Sequence, residues 1–294
     1  MTDTPAVKPY GSWVSPLSAR RIAEAGVGLS FVRADGESLY WLESRPREKG
    51  RSVLMRYRRG EVREALPAHF DVRSRVHEYG GGAYAAGRGS IVFSHFPDGT
   101  VWLVEADGEP RRITPKAALR YADFAFAPDG IYAVREDHRG PGEPVNSVVF
   151  LDPARTGEGE PVCSGRDFYA YPRPGPDGRS LACIAWDHPD MPWDRTELLL
   201  DGEAIAGGRE ESLLQPTWSA DGRLHYISDR SGWWNLYVHD GEGGRPLKPA
   251  AAEFAGPLWG LGAQNIRSLH DRDLIARYEN NATVQLERHP AGAC

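Results

Sequence analysis

The chain has 294 residues, 35 Lys and Arg against 41 Asp and Glu, a formal net charge of −6 and three cysteines. That length buries a sizeable core; the mixed, net-negative charge excludes the basic stripe of a nucleic-acid binder and gives no hold on an anionic membrane, and no apolar run approaches the ~20 residues of a membrane span. The start, MTDTPAVKPYGSW, has no basic-then-apolar leader, and Cys163, Cys183 and Cys294 have neither disulfide-framework nor metal-site spacing, so a reduced, cytoplasmic setting is expected.

In chain order, the first expected element is a short helix. Ser18 is placed to cap ARRIAEA, with Gly26 stopping it in the left-handed conformation. Residues 1–29 are therefore read as an N-terminal extension with one helix. From residue 30 onward every apolar run is strand-length and rich in β-branched and aromatic residues: SVLMRY (52–57), SIVFSHF (90–96), VWLVEA (101–106), SVVFLD (147–152), SLACIAW (180–186), ELLL (197–200), LHYIS (224–228) and NLYVHD (235–240). Asp-Gly pairs at Asp98, Asp129, Asp177 and Asp221 precede apolar runs, and the last three are spaced by 44 to 48 residues. Asp-Gly supplies the positive-φ residue of a tight hairpin, and a repeat of roughly 40–50 residues is that of a four-stranded propeller blade. The phrases VREALPAHF, PRRITPKAA and GRPLKPAAA each close a strand with an apolar residue followed by Pro.

The expected fold is all-β: a β-propeller of four-stranded blades over residues 30–294. Blades near 30–67, 80–115, 121–164, 168–208 and 214–250 are complete, and a sixth begins near 256. No helical stretches separate the strands, which excludes a parallel α/β sheet. The sixth unit, DRDLIARYENNATVQLERH, supplies two strands, so the ring is expected to be incomplete, with its first and last blades unmated.

Four phrases are more specific than any turn: PYGSWVSPLSARRIAEAG (9–26), RSRVHEYGGGAY (73–84), AWDHPDMPWDRTEL (185–198) and SDRSGWWNLYVHD (228–240). In these the chain resembles, from about Pro9 to Leu286, the propeller of prolyl oligopeptidase-family serine peptidases, in their dipeptidyl-peptidase and acylaminoacyl-peptidase-like branch. The resemblance implies a propeller that gates and recognises short peptide substrates, with an α/β-hydrolase domain as its partner; no cofactor is implied. The family's nucleophile sits in a Gly-x-Ser-x-Gly elbow, and no such motif occurs here. The chain is therefore expected to be cut before the hydrolase domain, to carry no catalytic residue and to be inactive alone. The alternative from another class is a stand-alone propeller that binds a protein or peptide.

His77, Glu78 and Tyr79, followed by three glycines, form the first candidate substrate site. Glycines let a backbone turn sharply or approach a ligand, and the resemblance implies that a carboxylate such as Glu78 binds a substrate's α-amine through a charge-assisted hydrogen bond. The other reading of Glu78 is a structural pair with Arg73 or Arg75. The second candidate is the Pro-stiffened segment Asp187, His188, Trp193 and Asp194, read as an interface loop facing the catalytic domain. Its three carboxylates and a His invite a metal, but stiff turns splay such donors apart, and no metal site is expected. Trp233 and Trp234, at a hairpin turn, are read as core residues, the other reading being an aromatic surface for a peptide, and His225 and His270 are read as structural histidines.

Overall fold

A computed structural model describes residues 7–289, apart from residues 25, 106, 209, 270–272 and 281. The turns that announce the repeat sit where the hairpin argument requires. Asp177-Gly178 and Asp221-Gly222 join the first and second strands of their sheets, and the two glycines are left-handed at φ 68° and 83°. Asp129-Gly130 occupies the same place, but Gly130 is not left-handed. It is small because a Cβ there would lie 2.4 Å from the Phe150 ring and 2.6 Å from the Leu151 carbonyl. Asp98-Gly99 differs in kind, joining the second and third strands of its sheet. The repeat's true first member is Asp35-Gly36, with Gly36 at φ 54°.

Six antiparallel sheets follow in order, over 28–64, 84–112, 119–164, 168–207, 213–246 and 266–289, here blades 1 to 6. Blades 1 to 5 have four strands each, paired in sequence order. Blade 6 has three: Leu274–Asn280 and Thr283–His289 are the expected two, and Ile266–Ser268 pairs onto the first of them. That strand is too short and polar to read from sequence. Four-strand closure is repeated to the bond. Ala65, Ile113 and Leu247, each two residues before a proline, donate their N–H to the carbonyls of Leu54, Val101 and Leu236 at 2.8 Å.

The first strands of successive blades lie against one another around the ring, and the sheets pack face to face. Tyr40, Leu42, Leu54, Phe70, Tyr84 and Phe93 fill the first interface; Val92, Leu103, Ile113, Tyr121, Ile131 and Val149 fill the second. The continuous core of the later blades includes Tyr169, Ile184, Leu198, Leu213, Tyr226, Leu236 and Phe254. Each such side chain contributes about 1.5–3 kcal/mol by leaving water. In that core the thiols of Cys163 and Cys183, both free and buried, hydrogen-bond to each other.

The innermost strands share an irregularity that no sequence pattern announces. Those of blades 1, 3, 4 and 5 each break register once, at Phe31, Asp123, Tyr171 and Gln215, which are left-handed with φ of 52° to 55°. Non-glycine residues adopt this conformation at a cost and keep it only when over-determined by neighbours. Here the neighbours are the adjacent blades. Asp123 donates its N–H to the Gly82 carbonyl at 2.8 Å; its carboxylate accepts from the Tyr171 N–H at 2.7 Å and from Arg173 at 3.1 Å. The Gln215 side chain accepts from the Asn265 N–H at 2.6 Å.

Blade 6 meets blade 1 near the axis, where Arg33 donates to the Gly262 carbonyl at 2.7 Å. Farther out, blade 1 exposes Leu39, Tyr57 and Val62, and blade 6 exposes Ile275, Val284 and Leu286.

The helix forms at Ala19–Glu24, with the Ser18 hydroxyl accepting from the Arg21 N–H at 3.1 Å, but Gly26 is not left-handed. His225 is buried in a strand of blade 5, while His270 and Cys294 lie outside the described residues. No helix among the described residues is long and apolar enough to cross a membrane.

Candidate functional site

In sheets whose strands alternate direction, the links between blades and the loops joining second to third strands emerge at the same end. Both candidate segments are of these kinds. Residues 77–82 belong to the link from blade 1 to blade 2, and 187–196 join the second and third strands of blade 4. They come together with a third segment, 258–261 in the link from blade 5 to blade 6, around a cavity of about 180 Å3.

The first segment is wound by left-handed residues: His77 and Glu78 have φ of 54° and 61°, and Gly80, Gly81 and Gly82 have φ of 70°, 91° and 53°. The glycines are required. A Cβ at Gly81 would lie 2.3 Å from the Leu261 carbonyl oxygen, and one at Gly82 would lie 2.8 Å from the Asp123 nitrogen. This close approach lets Leu261 donate to the Gly80 carbonyl at 2.8 Å and form a parallel bridge with Gly81, joining blade 2 to the approach of blade 6.

The turn sends His77 and Glu78 opposite ways. The His77 ring is buried edge-on against Phe168 and Trp186, at centroid distances of 5.2 and 5.4 Å. Burial lowers its pKa to about 4, against the pull of the Asn146 side chain, so the imidazole is neutral, and its Nε2 has no partner among the described residues. The His77 N–H is held by the buried Glu136 carboxylate at 2.6 Å. Glu78 points to solvent and binds Arg120, not Arg73 or Arg75, at 2.7 Å through Oε1. That bond holds its carboxyl below the usual range. Tyr79, largely exposed, meets Trp259 edge-on at 5.5 Å.

In the second segment each polar group has its own local partner. Asp187 accepts from Arg166 at 2.6 Å and from the Asp167 N–H at 2.7 Å. His188 faces Asp167 at 2.9 Å, Asp190 pairs with Arg195 at 2.6 Å, and Asp194 accepts from the Met191 N–H at 3.0 Å. These carboxylates stiffen the loop, and among the described residues no three His, Cys, Asp or Glu side chains gather as a metal site would need. The loop's apolar residues make the cavity wall. Trp193 packs on Trp259 at 4.6 Å and 43°, and Phe168 lies between Trp186, stacked at 5.3 Å, and His188 at 4.9 Å.

His77, Tyr79, His188 and Trp193 thus line one cavity, Glu78 stands outside it, and Asp187 and Asp194 brace it from behind. Phe168, Trp186 and Trp259 were not expected there. The signal for Trp259 was a lone Trp between glycines in a stretch without strand periodicity. Trp233 and Trp234 go elsewhere: Trp234 is buried as expected, whereas Trp233 is 43% exposed. Chemically, the cavity offers aromatic faces and a neutral imidazole to an apolar group, with a carboxylate outside it.

No family model and no curated protein sequence matches the chain. Among solved structures it is similar to a puromycin-hydrolyzing peptidase of Mycobacterium tuberculosis, with 37% identity and a TM-score of 0.82 over 97% of this chain and 48% of that one. A puromycin hydrolase matches with 32% identity and a TM-score of 0.85, again over 97% and 48%. The propeller domain of the trilobed protease of Pyrococcus furiosus, 13% identical with a TM-score of 0.58 over 89% of this chain and 81% of that one, shares the fold. The chain spans about half the length of the first two structures.

Proposed function

Since this chain is a homologue of the propeller domain of prolyl oligopeptidase-family peptidases, we propose that it gates and recognises short peptides for a serine peptidase whose α/β-hydrolase domain is its partner. The observation that carries this reading is the convergence of segments 77–80, 186–193 and 258–261 on one aromatic cavity. In this reading the cavity takes an apolar or aromatic side chain near a peptide's N-terminus, and Glu78 takes the α-amine. Glu78 uses Oε1 for Arg120, which leaves Oε2 to accept from an ammonium group; hydrogen bonds between charged partners are the stronger class. The bracing carboxylates of Asp187 and Asp194 keep the loop that carries His188 and Trp193 ready on the face proposed to meet the hydrolase domain. Puromycin, an aminoacyl nucleoside with an aromatic side chain and a free amine, has the same two features and is a ligand to try.

The test is a titration of the purified chain with Phe-Gly-Gly, its N-acetyl derivative and puromycin, followed by tryptophan fluorescence and calorimetry. The reading expects binding that Glu78→Gln weakens for free amines and leaves unchanged for the acetylated peptide. Equal affinity for free and acetylated peptide, or no binding at all, overturns it.

A further inference from the structure

Beside the candidate site, at the same end of the ring, a second cavity of about 330 Å3 opens between blades 2 and 3. Its walls include Arg73, Arg75, Phe96, Asp98, Arg120 and His138. The guanidinium carbons of Arg73 and Arg75 lie 4.7 and 5.7 Å from the centre of the same Phe96 ring. An aromatic face attracts a cation, and a guanidinium's fork of N–H donors matches a planar anion. Two cations on one ring also repel each other, and an anion placed between them relieves that repulsion.

Among the described residues neither Arg73 nor Arg75 has an ion-pair partner and no carboxylate sits between the two guanidinium groups; Glu78 acts on Arg75 only from a distance. The nearby acids are engaged elsewhere: Asp98 accepts through Oδ1 from the Thr100 hydroxyl at 2.6 Å and its N–H at 3.2 Å. Glu136 faces His138 at 3.0 Å and Arg120 at 3.6 Å, and Glu78 binds Arg120. Arg120 also donates to the Arg75 carbonyl at 3.1 Å, so it ties this cavity to Glu78. A net-positive hollow therefore adjoins a carboxylate, an arrangement complementary to a zwitterion.

We propose that this cavity binds a carboxylate of a short peptide, with Arg73 and Arg75 as its paired donors. The inference rests on the peptide-recognition reading above, which assigns the amine end to Glu78. Its test compares Phe-Gly-Gly as the free acid with its C-terminal amide, and with Phe-Gly-Glu α-amide, which carries only a side-chain carboxylate. The free acid is expected to bind the wild-type chain roughly tenfold more tightly than the amide, the scale of a charged hydrogen bond. An Arg73→Gln/Arg75→Gln variant, with its melting temperature checked, is expected to abolish that difference while still binding the amide. Tight binding of Phe-Gly-Glu α-amide supports the site and assigns it to acidic side chains as well as chain ends. Equal wild-type affinity for acid and amide, or a difference that survives in the double variant, overturns the proposal. If no peptide binds, the aromatic-cavity reading has failed by itself. N-acetylglycine, a carboxylate without an amine, then decides the anion site, and binding that does not depend on Arg73 and Arg75, or no binding, overturns it.

Discussion

Trp193 and Trp259 sit in different blade connections and pack with ring centroids 4.6 Å apart at an interplanar angle of 43°. Trp193 comes from the stiff loop of blade 4 and Trp259 from the link into blade 6, so their contact measures how well the ring has brought the two together.

Replacing Trp259 with Ala tests that contact as a binding element. The ring is 57% exposed, so little core is lost and the expected stability change is under about 1 kcal/mol. Affinity for a peptide with an aromatic first residue is expected to fall roughly tenfold, an aromatic pair contributing about 0.5–1.5 kcal/mol beyond its buried area. Calorimetric titration and thermal melting of the same sample read the two effects separately.

Arg120→Ala removes the cation that holds the Glu78 carboxyl below its usual pKa. In an NMR titration the Glu78 side chain is expected to move up toward an ordinary glutamate. The sign for stability follows from the depressed folded-state value: the contribution is present above the unfolded pKa and is lost as pH falls through the folded one. Because Glu78 is exposed, screening keeps that contribution below about 1 kcal/mol, and the shift itself is the measurement that decides.

Stability is expected to fall in two stages on acidification. Burial lowers His77 and His225 to about 4 each, against ~6.5 in an unfolded chain. Between those values the unfolded state binds more protons, so their contribution is intact above pH ~6.5 and drains away toward pH ~4. The second stage belongs to carboxylates such as Asp137 and Asp221, lowered to about 2 by hydrogen bonds from Arg139 and Ser219, and lies below the first. Melting temperatures from pH 8 to pH 3 should show the first stage, and His225→Gln should flatten part of it.

Asp123→Ala is expected to be severe, at about 3–5 kcal/mol, the cost of breaking a buried charge pair by removing one partner. It would leave Arg173 uncompensated and the Tyr171 N–H unbonded beside the axis. Chemical denaturation of the variant reads the loss; a change below about 1 kcal/mol would mean that the bulges do not need this clasp.

The blades were legible because their signals are local. A turn, a β-branched run and an apolar residue before a proline are written within a dozen neighbouring positions, and Asp177-Gly178 and Asp221-Gly222 behave as such a reading requires. Two things were not local. The bulge residues Phe31, Asp123, Tyr171 and Gln215 share no side-chain type, since their backbone is held by adjacent blades rather than by their own chemistry. The cavity draws on three segments that only the ring brings together, so His77, His188 and Trp193 could be named while their meeting, and the part of Trp259 and Phe168 in it, could not. Glu78 shows a subtler miss: Arg73 and Arg75 are its neighbours in the chain, but the left-handed turn aims it at Arg120 instead.

The bridge between Gly81 and Leu261 also bears on how the ring comes apart. Where each blade touches only its neighbours, a chain can fray stepwise from an end, as linear repeat proteins do. Here the approach to the last blade is bonded to the backbone that opens the second, so releasing blade 6 disturbs the front half of the chain as well. Loss of structure at the two ends is thereby made one event, and the Leu261 amide, bonded to Gly80, should exchange its hydrogen only in openings that involve both.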